Sequence, residues 1–80
     1  MMDIRLASQY SIYNRKQVEA SEKAGCYYCL SIFSPEEISD YCDDGTTVLC
    51  PKCGIDSVLG SQSGYTIDLA TLKKLKQYWF

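Results

Sequence analysis

Two cysteine pairs, Cys26-Tyr27-Tyr28-Cys29 and Cys50-Pro51-Lys52-Cys53-Gly54, are the residues best suited to chemistry in this chain. Each CxxC pair puts two sulfurs on one tight turn, and two facing turns supply the four thiolates of a tetrahedral metal site. With metal–sulfur bonds near 2.3 Å, the sulfurs of such a site lie about 3.5–4 Å apart. The second pair is the more specific, because Pro51 restricts the backbone entering the turn and Gly54 can take the positive φ of a turn exit. The expected ligands are therefore Cys26, Cys29, Cys50 and Cys53, and the expected ion is Zn2+. An iron site of the rubredoxin type uses the same four thiolates.

Other uses of these cysteines lack their usual context. Two disulfides suit a secreted domain, yet Met1-Met2-Asp3-Ile4-Arg5 opens no apolar leader run. A redox CxxC opens a helix after a strand, whereas Cys26 follows a predicted helix stop at Gly25. The fifth cysteine, Cys42, falls four residues after Ile38 and is expected to be a buried apolar side chain.

Catalysis is not expected. Nucleases of the HNH type pair a CxxC metal with a histidine general base, and the chain has no histidine. Four thiolates also fill zinc's coordination sphere and leave no position for an activated water. The Gly60-Ser61-Gln62-Ser63-Gly64 run has neither the lysine of a phosphate loop nor the strand-to-helix setting of a nucleophile elbow.

The elements that must hold the pairs can be read around them. Ser34-Pro35-Glu36-Glu37 is a capping box, with Phe33 and Ile38 at the staple positions, and predicts a helix running to about Asp43. An Asp44-Gly45 turn and a strand over Thr46 to Leu49 then deliver Cys50. Before the first pair, Asn14 as N-cap, Gln17 in the capping-box position and Tyr13 stapled to Val18 predict a helix from Arg15 to Ala24, stopped by Gly25. After the second pair comes a strand over Ile55 to Leu59, then a flexible turn. A last helix is capped by Asp68 or Thr66, with Leu69, Leu72, Leu75 and Trp79 along one face. The expected fold is α+β: a small zinc-ribbon or rubredoxin-knuckle-like four-cysteine module, with a helix between the knuckles and helices on either side. It forms one domain over 1–80, divided into an N-terminal segment 1–13, a helix 14–25, the four-cysteine core 26–60 and a C-terminal helix 65–80.

Eighty residues lie near the lower limit for a core that stands unaided, and metal binding would supply the missing stability. No stretch approaches the roughly 20 apolar residues that span a bilayer. Reduced cysteines and the absence of an export signal point to the cytoplasm.

Ten acidic residues stand against eight basic ones, and they are unevenly placed. The stretch 26–64 carries Glu36, Glu37, Asp40, Asp43, Asp44 and Asp56 against Lys52 alone, and a four-thiolate zinc site adds two further negative charges. Arg5, Arg15, Lys16 and Lys23 precede it, and Lys73, Lys74 and Lys76 follow it. Of Tyr27 and Tyr28, inside the first knuckle, one is expected to pack on the core and the other to face solvent or a partner. Asp56-Ser57 is placed to hydrogen-bond a sulfur-bearing turn. Tyr78-Trp79-Phe80 is hard to bury completely and is a candidate interface patch.

The run Cys26-x-x-Cys29, Ile32-Phe33-Ser34-Pro35-x-Glu37-Ile38, Asp44-Gly45-x-Thr47-x-Leu49-Cys50-Pro51-x-Cys53-Gly54-Ile55-Asp56-Ser57-Val58-x-Gly60, with Ser63-Gly64-Tyr65 and Trp79-Phe80, resembles a family of short bacterial proteins described only as cytoplasmic proteins. The resemblance covers about residues 14 to 80. It implies a four-cysteine metal module in the bacterial cytoplasm or in phage and mobile-element genomes, and carries over no activity. Final helices in that family are often basic or contain histidine; here Lys73, Lys74 and Lys76 are present and histidine is not.

Two functional classes follow. The first is a non-catalytic adaptor or inhibitor that binds a protein through Glu36, Glu37, Asp40, Asp43 and Asp44 together with exposed aromatics such as Tyr28 and Trp79. One version is a phage-encoded antagonist of a bacterial nucleic-acid-handling machine. The second is a nucleic-acid accessory module, with Arg15, Lys16, Lys73, Lys74 and Lys76 on phosphates and Tyr27 or Tyr28 stacking on bases.

Overall fold

Successive residues of a strand face opposite sides of a sheet, and the short strands of this chain use that alternation to serve two cores at once. In the computed structural model, which describes residues 4–80, β1 (Ala24–Cys26) lies at the centre of a three-stranded antiparallel sheet. It pairs with β2 (Ile32–Phe33) on one side and with β5 (Val58–Gly60) on the other. Ala24, Cys26, Phe33 and Val58 face a core shared with Val18, Ile38, Val48 and Cys50. Leu59 faces a second core with Ala7, Tyr27, Tyr65, Ile67, Leu72 and Leu75.

Gly25 shows why the central strand contains a glycine. A Cβ there would sit 3.0 Å from Leu72 Cδ1 and 3.1 Å from Ile67 Cγ2, so its absence lets the C-terminal helix lie against the sheet. Gly25 is therefore a strand residue and not the expected helix stop. The helix before it, α1, covers only Arg15–Glu19, shorter than the predicted span to Ala24. Ser21 ends it: the hydroxyl donates back to the Gln17 carbonyl at 2.8 Å, and the Ser21 N–H bonds to Val18 in a tightened last turn.

The predicted cap of that helix also changes role. Asn14 makes no side-chain cap bond and is 3% exposed. Its amide donates to the carbonyls of Tyr10 (3.0 Å) and Val58 (2.9 Å), while its oxygen accepts from the Val48 N–H (3.2 Å). It thus joins three segments inside the core, where each unpaired backbone group would be costly. Tyr13 does not staple onto Val18. It takes φ 50° and is 71% exposed.

Between the knuckles the capping box forms as expected, with the Ser34 N–H donating to Glu37 Oε2 at 3.0 Å, and Phe33 and Ile38 are both buried. The helix that it opens is a single 3-10 turn, Pro35–Glu37, and does not run to Asp43. Ile38 is already extended, and the chain proceeds into a hairpin of β3 (Tyr41–Cys42) and β4 (Thr47–Val48). Ser39 and Asp40 are poor helix formers, and Asp43, Asp44 and Gly45 all take positive φ (52°, 58° and 84°), which fits a hairpin turn and is incompatible with a helix. The hairpin holds Cys42 half-buried beside Asp43, outside the core in which it was expected.

After β5 and a 3-10 turn, α2 (Leu69–Trp79) is capped by Asp68, whose carboxylate accepts from the Thr71 N–H at 2.8 Å. Leu72 and Leu75 are fully buried, but Leu69 and Trp79 are 48% and 37% exposed. Tyr65 and Ile67, ahead of the helix, complete the core in their place. No helix among the described residues is long and apolar enough to cross a membrane.

Gly60, at the end of β5, lies close against α1 and the turn that follows it: an added Cβ would collide with Ser21 Oγ and lie 3.1 Å from the Val18 Cα. Because the second obstacle is backbone, Gly60→Ala should destabilise the chain by about 1–3 kcal/mol. Gly54→Ala meets nothing within 4 Å and bears only the positive-φ cost, about 1–2 kcal/mol. Denaturant midpoints of the two metal-loaded variants would check the order.

Candidate metal centre

Both knuckles are built by the same backbone pattern, offset by 24 residues. In the first, the Cys26 N–H donates to the Ser31 carbonyl (3.0 Å), the Leu30 N–H to the Cys26 carbonyl (2.9 Å), and the Tyr28 N–H to Cys26 Sγ (3.4 Å). In the second, the Cys50 N–H donates to Ile55 (2.9 Å), the Gly54 N–H to Cys50 (2.9 Å), and the Lys52 N–H to Cys50 Sγ (3.3 Å). The turn exit is left-handed in each, at φ 79° for Gly54 and φ 64° for Leu30. Leucine bears a penalty there that glycine does not, and Leu30 offsets it by packing on the second core.

The sulfurs meet at the join of the two turns. All four Sγ atoms lie within 4.8 Å of one another, with Cys26 to Cys53 at 3.7 Å and Cys29 to Cys50 at 3.6 Å. These two separations match the edge of a four-sulfur tetrahedron around an ion with bonds near 2.3 Å. The cluster can therefore hold a metal ion, and all four expected ligands are brought together. Cys26 and Cys50 are buried in the first core; Cys29 and Cys53 are half-buried and pack on it. Cys42 is not part of the cluster.

Ser57 supplies a further contact. Its hydroxyl lies 3.3 Å from Cys26 Sγ, and its carbonyl accepts from the Tyr27 N–H at 3.0 Å. Once Cys26 is a thiolate the hydroxyl must be the donor, so Ser57 and the two knuckle N–H groups spread the negative charge of the sulfurs. Asp56 remains exposed.

The chain matches no family model, no curated protein and no solved structure. The chemistry of the centre therefore rests on its own geometry.

That geometry crowds ionisable groups of one sign. Burial pushes the Cys53 thiol up to about 12, with the neighbouring sulfurs of Cys50 and Cys26 adding to the rise and the Ile55 backbone only partly offsetting it. Burial raises Cys50 as well. At Cys29 burial acts in the same sense, but hydrogen bonds from the Ser31 side chain and backbone and from the Cys50 and Cys53 thiols outweigh it and bring the thiol to about 7. A cation removes the conflict by favouring all four thiolates together.

The expected surface residues fall into distinct sets. Glu36, Glu37, Asp40, Asp43 and Asp44 are all exposed. Glu37 is committed to the Ser34 N–H and to Lys52 Nζ (3.2 Å), and Asp43 accepts from Thr47 Oγ1 (2.8 Å). Glu36, Asp40 and Asp44 have no such side-chain partner among the described residues. Tyr27 is buried and Tyr28 is 38% exposed, the division expected of this pair. Lys73, Lys74 and Lys76 are exposed on α2. Arg15 is not free for phosphate. Its guanidinium lies 4.0 Å from the Tyr41 ring centroid, donates to the Gly45 carbonyl at 3.1 Å and pairs with Glu19 at 3.1 Å.

Two contributors escaped the sequence reading: Ser31, which tunes Cys29, and Leu30, whose backbone role matches that of Gly54. Aligning the knuckles on their first cysteines places Leu30 opposite Gly54 and would have found the second.

Metal binding displaces protons from the thiols, so affinity should rise with pH. At neutral pH Cys50 and Cys53 carry protons in the metal-free chain whether it stays folded, where burial raises them, or unfolds, so binding should strengthen by at least about 100-fold per pH unit. Competition with a chromophoric chelator between pH 6 and 8 would measure this; a pH-independent affinity would contradict it.

Proposed function

We propose that the chain is a non-catalytic module in which one zinc ion braces a surface that binds a protein partner. The observation that carries the reading is the closed four-thiolate set: it fills a tetrahedral ion and leaves no site for a reacting water or substrate. Zinc is preferred to iron because a brace needs no redox chemistry, and zinc has none. A thiolate site needs reduced cysteines, which suits a reducing compartment and agrees with the resemblance to bacterial cytoplasmic proteins.

The partner surface in this reading is the stretch from Glu36 to Asp44. Glu36, Asp40 and Asp44 are exposed and have no side-chain partner among the described residues, while Glu37 and Asp43 are used internally. The capping box and the hairpin fix the backbone that carries them, so little ordering cost remains on docking. Such a face suits an Arg- or Lys-rich partner, including one whose basic groove otherwise takes nucleic-acid phosphate, and an adaptor or an inhibitor would both use it.

Purified chain should contain one zinc per molecule by elemental analysis. A partner recovered by native capture from a bacterial host should bind the triple variant Glu36→Gln, Asp40→Asn, Asp44→Asn at least tenfold more weakly, a loss of about 1.4 kcal/mol or more. Unchanged affinity in a folded, zinc-loaded triple variant would rule out this face.

A further inference from the structure

The outward face of α2 repeats at helical spacing. Lys73, Lys76 and Gln77, with Phe80 just past the helix end, stand at i, i+3, i+4 and i+7, which places them in one exposed stripe that flanks the buried Leu72 and Leu75. With Lys74 they line a shallow groove. None of the three lysines lies within ion-pair distance of a carboxylate among the described residues, whereas Arg15 and Lys52 each have one.

An aromatic end closes this stripe. Phe80 is 61% exposed although its ring meets Tyr28 edge-on at 4.9 Å and Tyr27 at 6.0 Å. Lys76 Nζ lies 5.3 Å from the centre of the Tyr28 ring. Tyr28 belongs to the first knuckle, so the aromatic end of the stripe is positioned by the metal centre.

We propose that this face binds single-stranded nucleic acid, with Lys73, Lys74 and Lys76 on phosphates and the Phe80–Tyr28 pair stacking on a base. Unpaired lysines beside exposed rings match the alternation of charge and flat apolar surface along a single strand, which an acidic peptide lacks. The stripe is about 10 Å long by helical rise, and its three lysines set an upper limit of roughly three phosphate contacts. The acidic stretch packs with the first core through Ile38, Tyr41 and Val48, whereas α2 packs on the second; the acid on α2 itself, Asp68, caps the end of the helix far from Phe80, with its carboxylate held by the Thr71 N–H. This surface shares no residue with the acidic face of the proposed protein partner, so the two readings fail separately.

The test uses the zinc-loaded full chain and a fluorescein-labelled ten-residue oligothymidylate, followed by anisotropy. Three phosphate contacts predict a plot of log affinity against log salt with a slope of about −2. The pair Lys73→Gln, Lys76→Gln should weaken binding and flatten that slope. Phe80→Ala should weaken binding about tenfold with the slope kept, and Tyr28→Ala should act in the same sense. Near-UV circular dichroism of each variant confirms folding, and Glu36→Gln, Asp40→Asn, Asp44→Asn should leave oligonucleotide binding intact. No anisotropy change at 100 micromolar protein in low salt would overturn the proposal. So would equal binding to a polyglutamate peptide, or a folded Phe80→Ala variant that binds as well as the parent.

Discussion

Four sulfurs held within 4.8 Å of one another impose the constraint on which the rest of this structure depends. Ionised without a cation they repel, and protonated they give up the charge that would hold an ion; burial, with the neighbouring sulfurs adding to it, pushes the Cys53 thiol up to about 12. The fold makes the crowding tolerable by aiming N–H groups of Tyr28 and Lys52 and the hydroxyl of Ser57 at the sulfurs. A bound ion turns that local conflict into a cross-link between residues far apart in sequence.

What the cross-link braces follows from the sheet. Cys26 ends the central strand β1, and the next residue, Tyr27, is buried in the other core, so the first knuckle touches both. The second knuckle follows the β3–β4 hairpin and precedes β5. Displacement of either knuckle would thus be felt in the hairpin with its acidic loop, in the sheet, and, through Tyr28 and Phe80, in α2. Both candidate binding faces are therefore joined to the four-cysteine cluster.

The ligand set, the capping box at Ser34, the Asp44-Gly45 turn and the cap at Asp68 were legible in the sequence because each is a local device with a fixed spacing. The lengths of the helices were not. Asn14 reads as an N-cap until the fold surrounds it, when two carbonyls and the Val48 N–H claim its side chain. Gly25 reads as a helix stop because the helix that it must admit, through Leu72, comes more than forty residues later. The stretch 38–43 has apolar residues at helical spacing, but pairing of Tyr41 with Val48 and of Cys42 with Thr47 makes it a strand and a turn. For Asn14 and Gly25 a partner distant in sequence overrides a local preference, whereas in 38–43 a local hairpin wins over a local helix.

If an ion completes the fold, circular dichroism during reversible metal removal will show it. Metal binding contributes about 10 kcal/mol or more in small zinc peptides, comparable to the whole stability of a domain this size. Stripping the metal with a strong chelator under reducing conditions should therefore abolish or greatly loosen the far- and near-UV signals. One equivalent of zinc should restore both. Unchanged spectra and an unchanged thermal midpoint in the fully metal-free chain would contradict the account.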